Sequence, residues 1–446
     1  MTADTDTATA LLEAAVKAGA EAADVVVLAE SSVGIGVSGG ALEEAERSEG
    51  REAGLRVLIG GRQACVSSSD TGADALTEMA ERAVALAREA PDDPYAGLAD
   101  PALIGGYPDA VALDMEDPAD PPTPEALEAM ARAAEDAALA IEGVAQVEQA
   151  SASTGRTAIT VAATNGFHGS YARSSVGVGV SAIAGAGLGR ERDFAGESRR
   201  HQSDMPTPEW IGDRAGRRAV AALNPRKTPA GAYPVLYDER VSLGLVMHLL
   251  SAVNGASVAR GSSWLKDRMG EQVLPDGIDV WEDPLIARGS ASRPFDAEGI
   301  PSAKRAIVEN GMLKRWVLDC ASARKLGLQT TGNARRSPSA PPSPGTTNVR
   351  ITQGERSRED LLRDMGTGLL VTSFIGSSIS PTTGSYSRGA SGFWVEGGEI
   401  AYPVNEITVA GTLPEMLKTL VPANDADPHR GISAPSMLVE GLVIGA

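Results

Sequence analysis

Residues 156–184 read RTAITVAATNGFHGSYARSSVGVGVSAIA, and the centre of that stretch sets the fold class. Asn165-Gly166 lies between two strand-like runs. A tight hairpin turn needs positive φ at its central positions, which Asn and Gly tolerate better than other residues. The preceding run, VAQVEQASAS, is also strand-like, so the succession is a meander. Antiparallel pairing follows, and nothing here has the regular alternation of a β-α-β fold.

Working outward, the segment 24–68 reads as a small sheet, with Gly60 and Gly61 closing a hairpin after Val57 and Ile59. Helices are expected over 7–23, closing near Gly19, and over 70–90, with Asp70 as cap. Further helices are expected from about Pro124 to Ile141, over 207–223, over VSLGLVMHLLSAV and over 357–366. The stretch 91–124 is dense in Pro, Asp and Gly, and a second break falls at NPRKTPAGAYP, 224–234. Residues 337–345, SPSAPPSPG, read as an exposed loop. The expectation is an α+β protein of two to three domains, with largely antiparallel sheets and flanking helices. The segments are 1–115 (α/β), 116–228 (α+β) and 229–446 (β-rich). No internal repeat is found.

Composition narrows the function classes. The 446 residues carry 40 Lys and Arg against 59 Asp and Glu, a formal charge of −19. Such a field repels phosphate backbones and anionic lipid, so no nucleic-acid or membrane partner is expected. Cys65 and Cys320 are the only cysteines, too few for a disulfide framework or a Cys-rich metal site. The N-terminus carries acids, with Glu13 and Lys17 interrupting its apolar residues, so it does not read as a signal peptide. No run of 18 apolar residues occurs. A cytoplasmic location is expected.

Candidate motifs are weak. Gly34-x-Gly36-x-x-Gly39 has dinucleotide-fingerprint spacing but lies in an alternating strand with carboxylates after it, so a glycine-rich hairpin is the better reading. Gly185, Gly187 and Gly189 read the same way. His168, His201, His248 and His429 are scattered, with no metal-ligand spacing among them. His248 lies in an apolar helix whose Val246, Leu249, Leu250 and Val253 recur at helical spacing. Gly376-Ser-Ser-Ile-Ser lacks the second glycine of a nucleophile elbow. Asp296 and Glu298 offer two carboxylates that, in a turn, satisfy backbone donors.

Longer stretches carry a resemblance. TPEWIGDRAGRRAVAALNPRK (207–227), ASRPFDAEGIPSAKR (291–305), ASARKLGLQTTGNAR (321–335), MGTGLLVTSFIG (365–376) and TGSYSRGASGFWVEGGEIAYPVNEITVAG (383–411) resemble the TldD/PmbA family, the modulator-of-gyrase peptidases. That family pairs two homologous subunits. The TldD-like one holds zinc through an H-E-x-x-x-H helix and a C-terminal cysteine, and the PmbA or TldE branch lacks that site. Here the matching helix reads His248-Leu249-Leu250-Ser251-Ala252-Val253, and HRGISAPSMLVEG near the end has no cysteine. Histidines five apart are separated by about 140° on a straight helix, so a zinc-bearing version must bend or end between them.

The resemblance implies a PmbA/TldE-like, zinc-free subunit of a metallopeptidase complex that proteolyses extended peptides or unfolded proteins. The zinc is expected in a TldD-like partner, as a heterodimer. No catalytic, cofactor-binding or metal residue is assigned in this chain, and whether it is itself an enzyme stays open. The alternative is a stand-alone homodimeric binding protein without catalysis. The glycine-rich stretch 383–392 is either a cavity lining or a folding turn.

Overall fold

The structure, a computed structural model, describes residues 2–445. Its N-terminal half contains α1 (Thr2–Ala18), β1 (Ala22–Ser38), β2 (Ala41–Ile59), β3 (Arg62–Ser68) and α2 (Ala73–Glu89). After the Pro-rich stretch come α3 (Pro124–Leu139), β4 (Val144–Ala163), β5 (His168–Ala184), β6 (Glu191–Arg199) and α4 (Pro208–Ala221). The Asn165-Gly166 turn joins β4 to β5 in an antiparallel pair, with Gly166 at φ +94°.

All six strands form one antiparallel sheet in the order β3-β2-β1-β4-β5-β6. The small sheet expected over 24–68 is therefore half of a larger one. Val25 of β1 faces Leu55 on one side and Ala162 on the other. The second neighbour is remote in sequence, and its pairing leaves no local pattern to read.

Residues of one parity on these strands meet the helices. α1 and α2 bury Val25, Val27, Leu55 and Val57, and α3 and α4 bury Ile35, Val37, Val178 and Val180. α3 and α4 cross closely at Gly212, where a Cβ would lie 2.0 Å from the Ala134 carbonyl oxygen. On the sheet's other face, Val26, Ile159, Val161 and Phe167 pack against Phe295 of the C-terminal part. Further along that face the apolar residues stop. Directly opposed residues share a face, and the pairings there read Gly34–Ser153–Gly177–Ser198, Gly36–Ser151–Gly179–Gly196 and Ser32–Gly155–Ser175. In the first two rows β1, β4, β5 and β6 thus present Gly and Ser alone, and β2 continues those rows with Glu46 and Glu44.

The C-terminal part begins with β7 (Gly231–Tyr237) and α5 (Glu239–Ala252). β7 pairs in parallel with Gly368–Ile379 and antiparallel with Met437–Gly445, while Ser385–Glu396 and Glu399–Thr412 continue the sheet. Thr408–Ala410 pair back onto Val443–Gly445, which closes five strands into a barrel. The largest core joins Tyr237, Tyr386 and Trp394 of the barrel to Leu249 and Val253 of α5 and to Val280 and Val308 of a second, five-stranded sheet. Strand outweighs helix, 38% to 25%, and the α+β class with antiparallel-rich sheets holds. Among the described residues no helix is long and apolar enough to cross a membrane.

Three local expectations are corrected. α1 begins at Thr2 rather than near residue 7, with Asp4 in its first turn, where a carboxylate suits the helix dipole. α2 is N-capped by Gly72, because Asp70 spends its carboxylate on the Gly72 amide instead. Finally, the loop 337–345 is not simply exposed. Pro338 and Pro342 are buried, and Ser343–Pro344 pairs with Ala334–Arg335. Pro338 lies on β2 at Gly54, where a Cβ would come within 2.2 Å of its carbonyl oxygen. Prolines leave few backbone donors to satisfy, so such a segment can be buried without a regular ladder.

Candidate functional site

α5 starts where Asp238 caps it by accepting from the Arg240 amide, with Glu239 in the first turn. Leu245, Val246, Leu249 and Leu250 turn inward at helical spacing and anchor it in the barrel core. The helix stops at Ala252, and Asn254 caps the next short turn by accepting from the Ala256 and Ser257 amides. Gly255 is required there, since a Cβ would lie 2.4 Å from Leu318.

His248 is half-buried on this helix, its ring 5.9 Å from Tyr386 in an edge-on arrangement. Its Nε2 is sealed from solvent with no hydrogen-bond partner among the described residues. Desolvation, then the Arg388 charge, lowers its pKa and so favours the neutral ring. Arg388 lies over the Phe374 ring at 4.3 Å and donates to the Gly376 carbonyl oxygen. Burial pushes the phenol of Tyr386 to about 12 and that of the fully buried Tyr237 well above its usual value. The cluster is aromatic and cationic, and among the described residues no carboxylate contributes to the pKa shifts of His248, Tyr237 or Tyr386.

By the family pattern, a zinc held by this helix would need a second histidine at position 253, with the general-base glutamate at position 249. Leu249 is 1% exposed and Val253 0% exposed, both inside the barrel core. Among the described residues no three His, Cys, Asp or Glu side chains are grouped to hold a metal. One imidazole is too few for tight binding, so the residues present do not fit the ion.

The other expected residues are dispersed. His168 and His429 are exposed, while buried His201 hydrogen-bonds the Asp114 carbonyl at 2.9 Å. Gly34 and Gly36 lie within β1, and Gly39 and Gly40 make its hairpin turn with positive φ. Gly187 and Gly189 make a single 3-10 turn between β5 and β6. Gly376 sits at a bulge of its strand, and the side chain of Ser377 is outside the described residues. Within 383–392, Gly389 and Gly392 meet the neighbouring strand: a Cβ at Gly392 would be 1.9 Å from the Leu370 carbonyl oxygen.

Asp296 and Glu298 do satisfy backbone donors. Asp296 accepts from the Glu298, Ile300 and Ala334 amides, and Glu298 from the Cys320 amide. Burial, then Asp296 and Asp319, pushes Glu298 up to about 8 from 4.5. Between those values the folded chain holds a proton that the unfolded chain has released, so stability falls as pH rises through that window. Glu298→Gln should flatten this slope and raise stability at pH 8 by the order of a few kcal/mol. Urea midpoints from pH 5 to 9 measure it, and an unchanged slope in the variant would remove Glu298 as the cause.

One cleft had no signal in the sequence. About 730 Å³ opens between β6 and α4 on one side and the start of α5 on the other. Its charges are matched: Arg214 bonds Glu197 and Glu239, Arg240 bonds Asp193, and Arg430 meets Glu239 and Asp427. The partners come from distant segments, so charge order along the chain does not reveal them.

A two-part molecule of this kind, a helix-backed sheet joined to a small barrel, matches a known peptidase architecture. Family models for the first, central and C-terminal domains of the PmbA/TldA metallopeptidases match residues 23–87, 116–223 and 230–446, and the chain belongs to the PmbA/TldD family. It is 36% identical over 425 residues to metalloprotease PmbA of Escherichia coli O157:H7, covering 95% of this chain and 92% of that one. A PmbA homolog of Haemophilus influenzae is 35% identical, with 97% and 94% covered. A TldD homolog of the same organism is 27% identical over 61% of this chain and 58% of its own. The fold superposes on a Bacteroides thetaiotaomicron protein named for modulation of DNA gyrase, with TM-score 0.91, 25% identity and coverage of 100% and 99%. It also superposes on TldE of Thermococcus kodakarensis, with TM-score 0.85, 21% identity and coverage of 99% and 100%.

Proposed function

We propose that this chain is the zinc-free, PmbA/TldE-like subunit of a two-subunit metallopeptidase, and that a TldD-like partner supplies the zinc and the hydrolysis. The observation that carries this is the filling of positions 249 and 253 by Leu249 and Val253 as barrel core, in a member of a metallopeptidase family. The occurrence of PmbA and TldD homologs in one organism supports the pairing. The chain's own contribution is a wall and a mating surface. The Gly and Ser rows on the open face of the N-terminal sheet suit this, because an extended peptide can approach a backbone that carries no long side chains.

The test is co-expression with a TldD-like subunit, followed by size exclusion, elemental analysis and digestion of an unfolded protein. Alone, the chain should carry well under one zinc and cleave nothing. In the complex, His248→Ala should leave turnover unchanged and lower stability by no more than about 1–2 kcal/mol, since the half-buried ring gives up packing but no hydrogen bond at Nε2. Stoichiometric zinc on the isolated chain would overturn the assignment. So would a partner that is fully active without this chain and never co-purifies with it, in which case an independent binding protein is the better account.

A further inference from the structure

Although the chain is strongly acidic and many of its arginines are ion-paired, four arginines beside one cavity are not. Arg173, Arg200, Arg293 and Arg335 make no ion pair with a carboxylate among the described residues, and the side-chain hydrogen bonds of the last three go to carbonyl oxygens: Arg200 to Ser174 and Ser290, Arg293 to Ala334 and Gly332, Arg335 to Thr346. Arg173 makes no side-chain hydrogen bond at all among those residues. Arg293 is 8% exposed, and its Nε has no partner. Arg173, Arg293 and Arg335 line a cavity of about 400 Å³ between the apolar face of the N-terminal sheet and the loops 290–297 and 335–347, with Arg200 adjacent through Ser290. Val26, Leu28, Ile159 and Val161 form its floor, and Tyr171 and Phe295 its aromatic side. Two acids also line it. Asp296 accepts from three backbone amides and offsets part of the Arg293 charge, and Glu30 is exposed, so the arginines lining the cavity outnumber the acids facing them.

Clustered guanidinium groups repel one another at short range, and the burial of Arg293 and partial burial of Arg173 and Arg200 raise the cost. The strain is visible at Arg200, which burial and then Arg173 lower to about 10. An anion entering the cavity relieves that repulsion and gains charge-assisted hydrogen bonds, while the floor takes an apolar group. We propose that this cavity is a binding site for an apolar carboxylic acid, the C-terminal carboxylate of a peptide ending in an aliphatic residue. The site belongs to this chain alone and does not depend on the zinc-free subunit reading.

Calorimetric titration of the full chain with N-acetyl-Ala-Ala-Leu as the free acid, with the same peptide as its C-terminal amide, and with inorganic phosphate tests it. The free acid should bind, the amide at least about tenfold more weakly, and binding should weaken with added salt. Arg173→Gln and Arg335→Gln should each weaken the acid about tenfold, Arg335→Lys should recover part of the loss, and Arg217→Gln, on an exposed pair with Asp213, should change nothing. The acid–amide comparison needs no variant, so it stands even where a substitution disturbs folding. Equal binding of acid and amide, or no binding of the acid at millimolar concentration, overturns the site. Phosphate binding as tightly as the acid overturns the assignment to an apolar acid.

Discussion

Replacing Asp24 with Ala should destabilise the chain by about 3–5 kcal/mol, the usual cost of removing one member of a buried ion pair. Asp24 is 3% exposed in β1 and takes two arginines, Arg56 from β2 and Arg336 from the loop before the buried prolines. The Arg56 Nε donates to it at 2.8 Å. Burial alone would raise the carboxyl, but Arg336 and then Arg56 outweigh it and hold it below the usual carboxylate range. Because the folded value is depressed, this stability is present above the unfolded value and is lost as pH falls through the folded one. The variant leaves two guanidinium groups facing each other with no counter-ion, and Arg336 belongs to the segment that presses on Gly54. Denaturant unfolding should therefore show the N-terminal sheet and the 337–345 loop loosening together. A loss below about 1 kcal/mol would mean that water replaces the carboxylate at little cost.

Gly392→Ala should be at least as damaging, of the order of 3 kcal/mol or more, although it adds only a methyl group. The new carbon would lie 1.9 Å from the Leu370 carbonyl oxygen, an atom fixed in the barrel wall, so the strands 368–379 and 385–396 must separate. Gly34→Ala is the control. It adds the same methyl on the open face, where nothing lies within 4 Å, and should shift stability by less than about 1 kcal/mol. Thermal melts of the two variants side by side measure the contrast. Equal losses would mean that strand propensity, not close approach, sets the cost.

What could be read from the sequence was what is encoded locally. Gly166 and the Gly60-Gly61 pair take positive φ, which few other residues adopt, and the Asn165 carboxamide oxygen accepts from the Phe167 amide, so both hairpins are marked without reference to anything distant. The helices after Thr123, Thr207 and Ser357 are likewise local in origin, each capped by a side chain that accepts from the amide three residues on. Apart from the α1 start and the α2 cap, the features that were missed share a cause. Pro338 against Gly54, Arg336 against Asp24 and β1 against β4 join residues more than a hundred positions apart, and no window of sequence contains both partners. At the candidate site, His248 and its two apolar successors were legible because a helix face repeats. The arginines around the 400 Å³ cavity were not, since Arg173, Arg293 and Arg335 lie on three separate segments.

The Gly and Ser rows on the open face of the sheet have a thermodynamic consequence. Covering a surface usually immobilises side chains, at up to about 2 kcal/mol for each Lys, Arg or Glu that loses its rotamers, whereas Gly loses nothing of this kind. A ligand or subunit lying on Gly34, Gly177, Gly179 and Gly196 therefore freezes very little of the protein it touches. The same bareness removes the contacts that tell one ligand side chain from another. Such a surface accepts many chains at a low entropic cost and ranks them poorly, so selectivity has to come from charged or apolar groups at its margins.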